Sequence, residues 1–178
     1  MQIQLFVLTE ELSKEKMKPI KNNNFIKPLG GLWTSTYNSI FGSDWVQYSL
    51  KTGGILVPET DYWNGYLLIP KSDIKLYEVN SYEDLEWLVN KYKIKVKLKN
   101  YSLYAPRIDE TIDFEKMQSH WDGIHLTKQG VIETKKSYPY NLDGWDVEST
   151  IWFRWMFANV IKMKREFISK NEFEKVSL

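Results

Sequence analysis

Asp146 and Glu148 stand two residues apart, just ahead of the apolar run Thr150-Ile151-Trp152-Phe153. Residues two apart on a strand share a face, so this spacing predicts paired carboxylates with Val147 buried opposite. Such a pair can titrate apart, or one member can serve as a hydrogen-bond acceptor. Asp146 or Ser149 equally suits the cap of a following helix, because Asp and Ser are favoured there. A second chemistry-bearing run is Lys27-Pro28-Leu29-Gly30-Gly31-Leu32-Trp33-Thr34-Ser35-Thr36. Its paired glycines permit positive φ and close backbone approach. The following residues alternate like a half-buried strand. Glycine bend, tryptophan wall and hydroxyls together describe the lip of a small-molecule pocket. Trp121-Asp122-Gly123-Ile124 and Gly144-Trp145-Asp146 share this texture.

The common catalytic templates are missing. There is no G-x-S-x-G elbow, P-loop, Rossmann fingerprint or H-E-x-x-H. No cysteine is present, which removes disulfides, thiol nucleophiles and thiolate metal sites. Two histidines, His120 and His125, are too few for most histidine metal sites, so no metal is expected. His125 reads as a structural histidine, although its ordinary pKa permits acid–base work. Asp122-Gly123 reads first as a turn.

The chain has 178 residues and a net charge of +1. That length predicts one domain, residues 1–178. Near-neutral charge argues against single-stranded nucleic-acid binding by aromatic stacking in a basic groove. Only three arginines occur, Arg107, Arg154 and Arg165, so bidentate phosphate clamps are scarce. Aromatic content of 15% is high and suits pocket walls and interfaces. The start Met1-Gln2-Ile3-Gln4-Leu5 lacks signal-peptide character. No apolar stretch approaches a membrane span. The expectation is a cytoplasmic protein without a membrane partner.

These residues need elements to position them. Gln2–Leu8 alternates as a first strand, and the Gly30-Gly31 run leads into another. Ser43 caps a short helix through Tyr48. Residues 53–65 are rich in turn formers. Tyr66–Pro70 and Ile74–Val79 read as strands. Tyr82–Tyr92 is the clearest helix, with Ser81 and Asp84 approximating a capping box and Leu85, Leu88, Val89 and Tyr92 on one stripe. Lys93–Lys99 alternates as a strand with one lysine face, which suits a protected sheet edge. Asp113–His120 reads as a short helix, then Trp121–Leu126 as a turn into a strand. Thr150–Phe157 suits either a buried strand or the start of a long helix, since Trp152, Trp155/Met156, Val160 and Met163 fit helical spacing. Residues 162–178 read as a peripheral C-terminal helix or a frayed end. The mixture predicts an α+β fold, with small mixed or antiparallel sheets and two or three helices.

The order of three segments resembles compact ADP-ribosyltransferase-like domains of bacterial or phage type. Trp121-Asp122-Gly123-Ile124 follows a short helix, Glu148 precedes the Thr150-Ile151-Trp152-Phe153 strand, and the Gly30–Thr36 segment is similar to an early strand lining a nicotinamide pocket. The resemblance implies a mono-ADP-ribosyltransferase that uses NAD as substrate and modifies a macromolecular acceptor, protein or nucleic acid. It implies Glu148 as the catalytic carboxylate, with Asp146 in reserve. Backbone groups near Gly31 and Leu32 would meet the nicotinamide amide, with Gly30 also in the cofactor-binding segment; Trp33 or Tyr37 would stack on the ring, and Thr34 and Ser35 would contact ribose or phosphate. Many family members carry an arginine or histidine on the first strand. Here none precedes Arg107 or His120, and Lys27 is the cation nearest the pocket segment. The competing reading is a non-enzymatic protein-binding module with a tryptophan-rich surface.

Overall fold

The computed structural model describes residues 2–8, 10–23, 27–52, 64–95 and 110–163. Among the described residues nine strands run in chain order: β1 (Gln4–Leu8), β2 (Leu32–Thr36), β3 (Asn64–Pro70), β4 (Leu76–Val79), β5 (Lys93–Lys95), β6 (Glu110–Ile112), β7 (Gly123–Leu126), β8 (Ser149–Trp152) and β9 (Phe157–Lys162). Four α-helices accompany them: α1 (Asp44–Thr52), α2 (Tyr82–Tyr92), α3 (Phe114–Met117) and α4 (Lys128–Thr134). Seven strands form one curled sheet in the order β4-β7-β8-β2-β1-β3-β9, and β5 pairs with β6 in a second. All neighbours are antiparallel except β4 and β7. The α+β expectation holds, with four α-helices among the described residues against the two or three expected.

Side-chain alternation gives the large sheet two working faces. On one face Ile124, Leu126 and Ile151 pack under Leu85, Leu88 and Val89 of α2 and Phe114 and Met117 of α3. Further along that face Leu5 and Val7 pack under Val46 of α1. The opposite face carries Leu32, Tyr66, Leu68, Trp152 and Phe157. Each fully buried side chain of this size stabilises the fold by about 1.5–3 kcal/mol.

Local chemistry sets the helix starts. Ser81 accepts from the Asp84 amide while the Asp84 carboxylate accepts from Ser81, so the capping box forms. Ser43 Oγ accepts from Val46 N at 3.3 Å and caps α1. Thr127 Oγ1 accepts from Gly130 N at 3.0 Å and caps α4, a helix the sequence reading passed over.

The C-terminal third is a correction. Ser149–Trp152 and Phe157–Lys162 are strands joined by a reversal at 153–156, so the long-helix alternative fails and Lys162 ends a strand. No helix follows Asp146 or Ser149, and Ser149 opens β8 instead. Residues 164–178, residues 53–63 and the far half of the lysine strand lie outside the described residues. Among the described residues, no helix is long and apolar enough to cross a membrane.

Candidate active site

Gly30 and Gly31 have φ values of 76° and 68°, the left-handed region that favours glycine. A Cβ on Gly31 would lie 2.7 Å from Ile20 Cδ1, Ile151 Cδ1 and the Trp152 carbonyl. A Cβ on Gly30 would collide with the Pro19 backbone. The pair therefore lets the 18–20 segment cross tightly against the start of β2. Gly31 N donates to Lys18 O at 2.8 Å and fixes that crossing.

The β1–β2 pairing covers only Gln4–Thr36 and Leu5–Ser35. Extending the same register would pair Val7 with Trp33, but the ladder stops at Leu5–Ser35 and both residues line a cavity. A chamber of about 420 Å³ fills the split. Leu5 to Leu8 line one side and Gly31 to Thr34 the other, with Trp45, Lys27, Asp146, Val147 and Ser149 around the rim. Trp33 packs edge-on against Trp145, with centroids 4.7 Å apart. Lys27 Nζ lies 3.6 Å from Asp146 and 5.4 Å from the Trp33 ring centre. Tyr48 of α1 lies beside Asp146, whose charge raises the phenol pKa.

A larger cleft of about 1120 Å³ opens at the other end of the β1–β2 pairing. Gln4, Thr36, Tyr37, Glu78, His125 and Glu148 contribute to its walls. Glu148 is 5% exposed. Ser35 Oγ donates to its Oε2 at 2.6 Å, and Thr36 N donates to the same oxygen at 3.0 Å. Thr36 Oγ1 donates to Oε1 at 2.9 Å, and His125 Nε2 lies 2.9 Å from Oε1. Burial alone pushes this carboxyl up. Hydrogen bonds from His125, Ser35 and Thr36 together outweigh burial and hold its pKa below the ordinary 4.5. The site therefore contains a fixed negative charge at neutral pH.

A buried polar chain supports it. Trp152 Nε1 donates to Thr34 Oγ1 at 2.9 Å, and Thr34 Oγ1 donates to Gln4 Oε1 at 2.7 Å. Gln4 Nε2 then donates to Thr36 Oγ1 at 3.4 Å, and Thr36 Oγ1 donates onward to Glu148. Each hydroxyl acts once as acceptor and once as donor, so the direction of the chain is consistent from Trp152 to the carboxylate.

The sequence-predicted residues thus divide between two chambers. Lys27, Gly31, Leu32, Trp33, Thr34 and Asp146 line the smaller one, while Tyr37 and Glu148 line the larger. Ser35 is buried and ties β2 to Glu148. Gly30 lines neither chamber and serves the crossing. Asp146 and Glu148 do not share a strand face, because β8 begins only at Ser149 and both precede it. His125 was read as structural, yet it contacts Glu148 and lines the larger cleft. Its partner lies 23 residues away, so only sheet register brings the two together. Among the described residues, no group of three His, Cys, Asp or Glu side chains could hold a metal ion. Comparison of the chain with family models, curated proteins and solved structures found no match.

Proposed function

We propose that the chain is a mono-ADP-ribosyltransferase-like enzyme that takes NAD as substrate and transfers ADP-ribose to a macromolecular acceptor. The observation that carries this reading is Glu148, an ionised carboxylate anchored by Ser35, Thr36 and His125 at the wall of a 1120 Å³ cleft. Cleavage of the nicotinamide–ribose bond develops positive charge at the ribose C1′, as in glycoside cleavage. A negative charge already fixed beside that centre stabilises the transition state more than the ground state. The cleft exceeds the usual range of about 300–1,000 Å³ for small-molecule sites, so an extended dinucleotide fits its scale. β1 presents Gln4 to this cleft, a neutral amide rather than a cation. The pyrophosphate would then meet Lys128 and the hydroxyl and amide groups of the walls.

The protein-binding alternative gains little support. Among the described residues, Trp87 is the one tryptophan in the exposed class, at 45%, and it stacks on Tyr77.

Incubation of the purified chain with NAD, followed by chromatography for nicotinamide, tests the reading. Wild type should release nicotinamide, and Glu148→Gln should release it about 100-fold more slowly or worse. Absence of both NAD binding and nicotinamide release in the wild type would overturn it.

A further inference from the structure

Glu148 has little acceptor capacity left. Two carboxylate oxygens offer about four lone-pair positions. Ser35 Oγ, Thr36 N, Thr36 Oγ1 and His125 Nε2 supply four donors. Three of these are fixed to β2. The fourth, His125, comes from β7 and is more open to the cleft than the carboxylate it bonds, with 18% side-chain exposure against 4% for Glu148. The imidazole is therefore open to a reacting group in the cleft that holds the carboxylate.

The tautomer follows from the chemistry of the partner. An ionised carboxylate can only accept, so His125 Nε2 must carry the hydrogen that bonds Oε1. In the neutral ring Nδ1 then holds the lone pair. No described group hydrogen-bonds that nitrogen. His125 lies on β7 between Ile124 and Leu126, which point into the core beneath the helices, so its ring stands on the cleft face of the sheet. Parallel pairing sets it beside Glu78 of β4, and antiparallel pairing beside Thr150 of β8.

We infer that His125 is the general base of the transfer step, that Glu148 holds it in the Nε2–H tautomer, and that the acceptor is a hydroxyl group. The inference rests on the NAD reading above. In the step, the acceptor oxygen forms a bond to ribose C1′ while the C1′–N bond to nicotinamide breaks. The electron pair of that bond leaves on the nicotinamide nitrogen and neutralises its charge. The acceptor proton passes to His125 Nδ1, and the resulting imidazolium is paired with the Glu148 carboxylate. A hydroxyl needs such a base, whereas a nucleophile with a free lone pair and no proton to lose does not. Water entering the same position gives NAD hydrolysis.

The charged and titratable groups facing the dyad are Glu78 from β4, Tyr37 after β2, Asp44 from α1 and Lys128 from α4. Lys128 Nζ is 3.0 Å from Asp44, so those two charges offset one another.

The test uses the full chain with NAD and water as acceptor. His125→Gln should bind NAD as wild type does, by calorimetry, yet hydrolyse it about 100-fold more slowly or worse. Imidazole in the buffer should restore turnover to His125→Ala. Nitrogen-detected NMR of the wild type, which needs no variant, should show the Nε2–H form. Wild-type turnover in His125→Gln, or an Nδ1–H tautomer, overturns this inference alone. Failure of the wild type to cleave NAD overturns the parent reading, and this one falls with it.

Discussion

The two chambers that share β2 are built by opposite means. At the larger cleft the strand presents Thr36. Thr36 joins Gln4, Trp152, Glu148 and Thr34, which lines the smaller chamber, in one hydrogen-bonded chain that fixes the position of the carboxylate. In the smaller chamber the same strand presents Trp33 and a backbone edge that has parted from β1. Charge there is confined to the Lys27–Asp146 pair at the rim, with side-chain exposures of 40% and 32%. One chamber holds a buried charge whose environment lowers its pKa. The other holds an apolar volume closed by a solvated ion pair. A substitution should therefore be felt as lost order in the first and as altered shape in the second.

The largest effect should come from Glu148→Ala. It leaves the Ser35, Thr36 and His125 donors without their acceptor, at a cost of about 3 kcal/mol. Urea denaturation of the variant and wild type measures it. Acid sharpens the same point. Because Glu148 is held below its ordinary 4.5, its ionised form stabilises the fold. That contribution is complete above about 4.5 and disappears as pH falls through the lowered value. Wild type should lose stability on acidification through this window, and Glu148→Gln should lose less. Parallel acid curves would mean that Glu148 is not the titrating anchor.

Gly31→Ala should have the next largest effect, about 2 kcal/mol. The residue needs φ of 68°, and its Cβ would press on Ile20, Ile151 and the Trp152 carbonyl. Trp152 also starts the hydroxyl chain, so this change should disturb both chambers. Thermal unfolding together with the nicotinamide-release rate would reveal it. A variant as stable as wild type would remove the account of the tight crossing.

How much of this was legible in the sequence depended on the reach of each interaction. The Ser81–Asp84 box and the α2 stripe are local, and they read correctly. Gly30-Gly31 signalled positive φ and close backbone approach, and the 18–20 segment makes that approach. α4 was hidden because Gly130 sits in its first turn. Glycine reads as a breaker, but here the Val79 carbonyl occupies the place of a Cβ. β9 was hidden because the reversal at 153–156 contains neither Gly nor Pro, so Trp152, Met156 and Val160 kept a helical period. The site divided for a related reason. Asp146 and Glu148 were read as if a strand already ran through them, whereas pairing starts at Ser149. The His125–Glu148 contact depends on β7–β8 register, which no local pattern encodes.

The smallest expected effect bears most directly on which chamber does the chemistry. Asp146→Asn removes one partner of the Lys27 pair. At 3.6 Å and with both side chains in contact with solvent, that pair should contribute less than about 1 kcal/mol. Lys27 also keeps its place over the Trp33 ring, 5.4 Å from the centre, so the rim should not collapse. NAD cleavage should stay near the wild-type rate, because the charge that faces the reacting ribose is assigned to Glu148. A loss as deep as that of Glu148→Gln, with stability unchanged, would move the reaction centre into the aromatic chamber and make Asp146 its carboxylate.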